Sequence, residues 1–97
     1  MNFIEIIQLR ASGIAEAEQA NAMVKTMDME YKYKSQHDKE QPDSCKILKN
    51  AVFETDISLH IHWKKEKLSF KPSIFGLCIA TALEQYGIIN HSIWQEE

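Results

Sequence analysis

The chain has 97 residues and a formal net charge of −3, with 44% hydrophobic and 26% charged residues. This composition is typical of one globular domain, residues 1–97, rather than of a disordered chain. The mild acidity leaves no basic surface for nucleic acid, so we expect no such partner. No apolar run approaches the roughly 20 residues of a membrane span. The first seven residues lack a basic region and contain a glutamate, so we expect no signal peptide and no membrane partner.

The two cysteines lie far apart and form no Cys-x-x-Cys motif. We expect Cys45 and Cys78 to be reduced thiols in a cytoplasmic protein, because the cytosol keeps thiols reduced. Cys78 stands among apolar neighbours, which predicts a small buried core side chain.

The first half of the chain predicts a strand and a long helix. Residues 3–10 are β-branched and apolar on both alternations, which indicates a strand covered on both faces. Between Ile14 and about Tyr33, apolar residues recur at steps of three and four, which predicts a helix with one apolar stripe. The stripe comprises Ile14, Ala17, Ala20, Val24, Met27 and Tyr31. We expect Met23, Met27 and Met29 to pack in the core. Residues 35–44 are polar and contain a proline, as loops do.

Two β-prone runs follow, residues 46–53 and 57–63, with three polar residues between them that suit a hairpin loop. The second run alternates strictly. Its apolar face comprises Ile57, Leu59, Ile61 and Trp63. His60 and His62 fall on the opposite face, beside Ser58 and Lys64.

Pro72 and Ser73 are typical of a helix start, and Gly87 of a left-handed residue after a helix that extends to about Tyr86. Residues 88–95 then form a last strand. The order β-α-β-β-α-β predicts an α+β, ferredoxin-like domain. Its four-stranded antiparallel sheet has the first and third strands at the centre and both helices on one face. Because the first and last strands carry apolar residues on both faces, we expect a second copy to cover the bare face in a homodimer.

The segment FGLCIATALEQYGIINHSIW, residues 75–94, resembles the end of antibiotic biosynthesis monooxygenase-like proteins of the dimeric α/β-barrel superfamily. Some of these close with a similar Gly-x-x-Asn-His-Ser-x-Trp phrase, here Gly87, Asn90, His91, Ser92 and Trp94. The opening strand and the strand ending in Trp63 fit the same plan, so the resemblance spans most of the chain. In better characterised branches Glu-x-Trp often stands where this chain has Ile61-His62-Trp63, and "KPSIFG" replaces a His-containing motif.

The resemblance implies a dimer whose two sheets face each other and whose pockets lie between each sheet and neighbouring helices or loops. It also implies oxidation of an aromatic or quinone-like compound without metal or flavin. Other relatives of this kind degrade haem. We expect no cofactor in this chain.

The first candidate site is the His60/His62 pair. A His-x-His pair on one strand face can hold a metal if a third ligand joins it, and Glu5 on the neighbouring strand would complete such a set. Whether Glu5 shares that face depends on a register that a one-residue slip would reverse. The alternatives are histidines that line a polar cavity and move protons near neutral pH, or structural histidines at the dimer interface or in solvent. We expect no metal.

Glu5 itself is a carboxylate inside an apolar strand, so it must be paired, hydrated or neutralised. In a closed pocket it would be a candidate base. The alternative is an ion pair with Arg10 or Lys64.

The remaining candidates are the polar groups of the last strand and the two tryptophans. Asn90 and His91 would contact either a partner subunit or a ligand. Trp63 and Trp94 would be core or interface anchors, or walls of an aromatic pocket. The sequence thus predicts a small monooxygenase-like enzyme with Glu5, His60 and His62 as catalytic residues. Ligand-binding residues would be Trp63, Asn90, His91 and Trp94. The alternative is a non-catalytic small-ligand-binding or dimerisation module.

Overall fold

A computed structural model describes residues 3–34, 42–63 and 72–96. Its elements are β1 (Phe3–Ala11), α1 (Ile14–Lys34), β2 (Ser44–Lys49), β3 (Asp56–Trp63), α2 (Ile74–Leu83), a 3₁₀ turn (Glu84–Tyr86) and β4 (Gly87–Gln95). The strands pair antiparallel in the order β2-β3-β1-β4. The predicted α+β ferredoxin-like fold, with the first and third strands at the centre, is confirmed.

Alternation along the strands divides the sheet into two faces. On β1, Glu5 lies opposite Ile61 of β3, and Ile6 lies opposite His60. We call the side packed against the helices the helix face. On the three strands from β3 to β4 it comprises Ile57, Leu59, Ile61, Trp63, Phe3, Glu5, Ile7, Leu9, Ile89, His91 and Ile93. We call the other side the open face. On the same strands it comprises Asp56, Ser58, His60, His62, Ile4, Ile6, Gln8, Arg10, Ile88, Asn90, Ser92 and Trp94.

The core forms where the helix face meets one side of each helix. From α1 it takes Ala17, Ala20 and Val24, and from α2 it takes Phe75, Ile79, Ala80 and Leu83. Ala20 and Ile79 are fully buried. Small residues on α1 allow that helix to approach the sheet closely, while larger residues on α2 fill the remaining space. Neither described helix is long and apolar enough to cross a membrane.

Three expected core positions are wrong. Cys78 is exposed on α2, Ile14 is exposed at the start of α1, and Met29 is exposed near its end. Met23 and Met27 do pack against the core. In each wrong case the apolar residue lies beyond the arc of the helix that the sheet covers. The side chain of Tyr31 and the predicted loop residues 35–41 lie outside the described residues.

Two predicted element ends also differ from the structure: the end of the strand predicted for residues 46–53, and the conformation of Gly87. β2 ends at Lys49 because the side chain of Asn50 accepts hydrogen bonds from the backbone N–H groups of Val52 and Phe53, at 2.8 and 2.9 Å. Gly87 is not left-handed: its φ of 161° is extended, and it is the first residue of β4. A glycine is needed there because a Cβ atom would overlap the carbonyl oxygen of Arg10.

Candidate functional site: a buried glutamate and its histidine

Glu5 lies on the helix face with none of its surface exposed. Its Oε1 accepts hydrogen bonds from the indole Nε1 of Trp63 at 3.0 Å and from the hydroxyl of Ser73 at 2.6 Å. Its Oε2 accepts from the backbone N–H of Ser73 at 3.1 Å and lies 2.8 Å from Nε2 of His91. Four polar atoms thus converge on one carboxyl group, which is how a buried carboxylate is accommodated without exposure to water.

The first turn of α2 is built around this carboxyl group. Ser73 is the N-cap of the helix, as predicted, and its Oγ accepts the backbone N–H of Gly76 at 2.8 Å. The Ser73 hydroxyl therefore caps the helix and donates to Glu5 at once. The positive end of the helix dipole faces the carboxyl group and favours its negative charge. A Cβ atom on Gly76 would overlap Oε2 of Glu5, so the close approach of helix and carboxyl group requires glycine.

His91 connects this buried group to the surface. It lies on the helix face of β4, in register with Ile7 of β1. Its side chain is 13% exposed, whereas that of Glu5 is not exposed at all. The ring contributes to an open cleft of about 520 Å³, lined together with Pro72, Ile93 and Gln95. His91 is therefore the member of the cluster that a small molecule in this cleft would meet.

His60 and His62 lie on the open face, on the other side of the sheet from Glu5. Nε2 of His60 is 3.0 Å from Oγ of Ser58. Partial burial lowers the pKa of His60, and the nearby charge of His62 lowers it further. The expected cavity lined jointly by Glu5, His60 and His62 is thus wrong, because odd-numbered residues of β1 share a face with odd-numbered residues of β3. Among the described residues, no cluster of three metal-ligating side chains occurs.

The alternative partner expected for Glu5, Arg10, is also on the open face. It pairs with Asp56 through two hydrogen bonds of 3.1 and 3.2 Å. The hydrogen bond to Asp56, and then its charge, raises the pKa of the Arg10 guanidinium. Lys64, the other partner considered, lies outside the described residues. Arg10 and Asp56 contribute to an open trough of about 500 Å³ that also contacts Leu48 and Ile88.

The residues expected to bind a ligand divide between the two faces. Trp63 is buried, stacks on Phe3 with ring centroids 5.9 Å apart, and donates to Glu5. Asn90 and Trp94 are on the open face, where Asn90 donates to Gln8 and the exposed Trp94 indole donates to Ser92. Of the predicted ligand-binding set, only Trp63 and His91 contact Glu5.

Sequence reasoning missed the roles of Ser73 and Gly76 beside Glu5. Ser73 was identifiable as a helix cap, but its contact with a residue 68 positions away has no local signal. A glycine in the first turn of an apolar helix was the available clue, because such a glycine marks a close approach of another group.

Several solved structures are similar to this chain over nearly its whole length. The oxygenase SnoaB from Streptomyces nogalater, whose name states that it is cofactor-independent, aligns with a TM-score of 0.62 at 14% identity, covering 99% of this chain and 93% of that one. A conserved Bacteroides thetaiotaomicron protein of unknown function aligns with a TM-score of 0.70 at 6% identity, covering 98% and 97%. A candidate antibiotic biosynthesis monooxygenase from Nitrosomonas europaea aligns with a TM-score of 0.61 at 13% identity, covering 98% and 89%.

The chain has the fold of the antibiotic biosynthesis monooxygenase-like proteins. No family model matches the sequence, and no curated protein matches it significantly. At these identities the likeness establishes the fold, and the chemistry has to be argued from the residues of this chain.

Proposed function

We propose that this protein is a small monooxygenase-like enzyme that needs no cofactor and acts on an aromatic or quinone-like compound bound beside His91. The observation that carries the proposal is the Glu5–His91 contact of 2.8 Å, in which His91 also lines an open cleft. A histidine held by a buried carboxylate is a suitable group for taking and returning a proton. The shared fold with SnoaB, a cofactor-independent oxygenase, supports the same class of chemistry.

The proposed chemistry starts from an aromatic substrate with an acidic C–H group, whose conjugate base is stabilised by the rings. His91 takes a proton from a CH₂ group flanked by aromatic rings, and the resulting carbanion transfers electrons to O₂ and forms a C–O bond. The peroxide then takes up a proton. Loss of water breaks the O–O bond and leaves a ketone, so that R₂CH₂ and O₂ give R₂C=O and H₂O. The substrate supplies every electron that O₂ receives, and the protein's role is binding and proton transfer.

The proposal is tested by oxygen uptake in air-saturated buffer with dithranol, an anthrone that carries such a CH₂ group. We expect the wild-type protein to raise uptake above the rate in buffer alone, and His91→Gln to lower the catalysed rate about 100-fold or more, the usual contribution of a positioned acid–base group. Glu18→Gln, an exposed carboxyl change on α1, is the matched control for handling and folding. Uptake equal to the buffer rate would contradict the proposal for this substrate class.

The open face is tested in the same assay with a His60→Ala/His62→Ala double variant. If this variant loses the activity while His91→Gln keeps it, the site lies on the open face and the proposal is wrong. Unchanged activity in the double variant supports the cleft beside His91. If dithranol binds to the protein without any oxygen uptake, the chain is instead a small-ligand-binding module, the alternative that the saturated hydrogen bonding of Glu5 favours.

We further propose that the open face pairs with that of a second copy. Trp94, Leu48 and Ile88 are exposed there by 59%, 47% and 77%. Large apolar side chains grouped on one sheet face commonly mark an interface, and a two-fold axis would bring two such faces together. Sedimentation equilibrium should give the mass of two chains for the wild type. Trp94→Glu should shift it towards one chain, while Met29→Glu, at an apolar position on α1 that is 71% exposed, should not; a single-chain wild type would contradict the pairing.

A further inference from the structure

We infer that Glu5 is a positioning residue that holds His91 in the tautomer with hydrogen on Nε2, so that Nδ1 is the nitrogen that accepts a proton from a bound molecule. The inference deepens the proposed function and depends on it for its catalytic meaning. The tautomer itself is a property of the protein without substrate. It follows from counting the hydrogen atoms around the carboxyl group.

Two of the four groups around Glu5 can only donate, and a third, the Ser73 hydroxyl, also donates to it. The indole Nε1 of Trp63 and the backbone N–H of Ser73 can only donate. The hydroxyl of Ser73 already accepts from Gly76, so its own hydrogen is available for Oε1 of Glu5, at 2.6 Å. Both carboxyl oxygens therefore act as acceptors, Oε1 twice and Oε2 once, before His91 is considered.

The fourth contact then fixes the histidine. Hydrogen bonds from three donors favour the ionised form of a carboxyl group, and that form has no hydrogen to give. With Glu5 ionised, the 2.8 Å contact between Oε2 and Nε2 of His91 is an N–H···O bond in which His91 donates. A neutral imidazole with hydrogen on Nε2 carries its lone pair on Nδ1. Among the described residues, no side chain or backbone group bonds to Nδ1 of His91.

The surroundings of Glu5 keep the carboxyl group from turning away. The first turn of α2 holds the carboxyl group on one side. Ser73, the N-cap, bonds to both of its oxygens, and the backbone at Gly76 packs directly against Oε2. Trp63, held by its stack on Phe3, bonds to Oε1 from the neighbouring strand. His91, on the edge strand β4, contacts this fixed group with its own Nε2. The first turn of α2 therefore fixes the carboxyl group of Glu5, and the carboxyl group in turn fixes the ring of His91.

The direct test is the ¹⁵N chemical shift pattern of His91 in uniformly labelled protein without substrate, at a pH where its ring is neutral. The chain has four histidines, and the His91→Gln spectrum identifies the signal that belongs to His91. We expect the shift of a protonated nitrogen at Nε2 and of an unprotonated nitrogen at Nδ1. The reverse pattern in the wild-type protein would overturn the inference, and this measurement requires no other variant to fold.

Variants of Glu5 separate positioning from general stability. In folded Glu5→Gln, the amide can present either its oxygen or its NH₂ group to Nε2 of His91. The Nε2–H pattern should therefore be replaced by the pattern of a mixture of tautomers. The exposed Glu18→Gln should keep the wild-type pattern. An unchanged pattern in Glu5→Gln would mean that the carboxylate does not set the tautomer. Failure of oxygen uptake with an Nε2–H pattern intact would remove the proposed function and leave the tautomer assignment standing.

Discussion

The sharpest consequence of the structure for stability is the effect of Glu5→Gln. The substitution keeps the shape of the side chain but replaces one acceptor oxygen by an NH₂ group. With the amide in one orientation the NH₂ group faces Nε1 of Trp63 and the hydroxyl of Ser73; in the other it faces the backbone N–H of Ser73. In either orientation a buried donor meets another donor.

The magnitude follows from that mismatch. An unsatisfied buried donor costs about 1–3 kcal/mol, and each hydrogen bond to a charged acceptor contributes about 1.5–3 kcal/mol, partly offset because a neutral amide is easier to bury. We expect a net loss of about 2–4 kcal/mol in the free energy of unfolding. For a domain of this size each kcal/mol corresponds to roughly 4–8 °C in Tm, so the melting temperature should fall by about 8–32 °C.

Urea unfolding followed by circular dichroism measures this loss, with tryptophan fluorescence as a second probe. The midpoint should fall while the slope stays unchanged, because the surface exposed on unfolding is the same. Glu18→Gln on the exposed side of α1 should remain within about 0.5 kcal/mol of the wild type. A Glu5→Gln loss equally small would show that the hydrogen bonds around Glu5 do not stabilise the fold.

Three other variants test separate parts of the structure. Gly76→Ala should destabilise the protein because the added methyl group displaces Glu5. This loss should exceed the gain of about 1 kcal/mol from the better helix propensity of alanine. A more stable variant would contradict the packing. Because the pKa of His60 is lowered in the folded protein, the unfolded chain takes up its proton first. Stability should therefore fall as pH drops below the ordinary histidine pKa of 6.5, and His60→Gln should flatten that fall in unfolding curves between about pH 7 and 5. Arg10→Ala should shift the urea midpoint only slightly, and less in high salt, because the ion pair with Asp56 is exposed; a large salt-independent shift would contradict this.

The topology was accessible from the sequence because each strand and helix carries its own local signal. The strict alternation from Ile57 to Trp63 defines β3, and Ser73 marks the start of α2. The same signals could not place Glu5 with respect to the histidines. Side-chain direction reverses with every residue, so the face that Glu5 shares depends on the pairing of β1 with β3. That pairing, with Glu5 opposite Ile61, is a long-range contact that alternation alone does not determine.

The errors in the helices have a related cause. Cys78 stands in an apolar stretch, but residues 77 and 78 lie on the side of α2 away from the sheet, where burial ends. Glycine after a helix often takes a left-handed conformation, but Gly87 is extended and its missing side chain makes room for the backbone of β1 at Arg10. In both cases the residue type was informative, and the neighbouring element that explains it lies elsewhere in the chain.

The separation of the two faces can itself be measured by coupling energies. Glu5 and His91 share a hydrogen bond, so the double variant Glu5→Gln/His91→Gln should lose less stability than the sum of the single variants, by about 0.5–3 kcal/mol. Glu5 and His60 lie on opposite faces and share no hydrogen-bond partner among the described residues, so Glu5→Gln/His60→Ala should be additive to within about 0.5 kcal/mol. Urea unfolding of the single and double variants gives both values. A coupling energy between Glu5 and His60 as large as that between Glu5 and His91 would mean that the sheet does not separate Glu5 from the histidines of β3. The candidate site would then include residues of both faces.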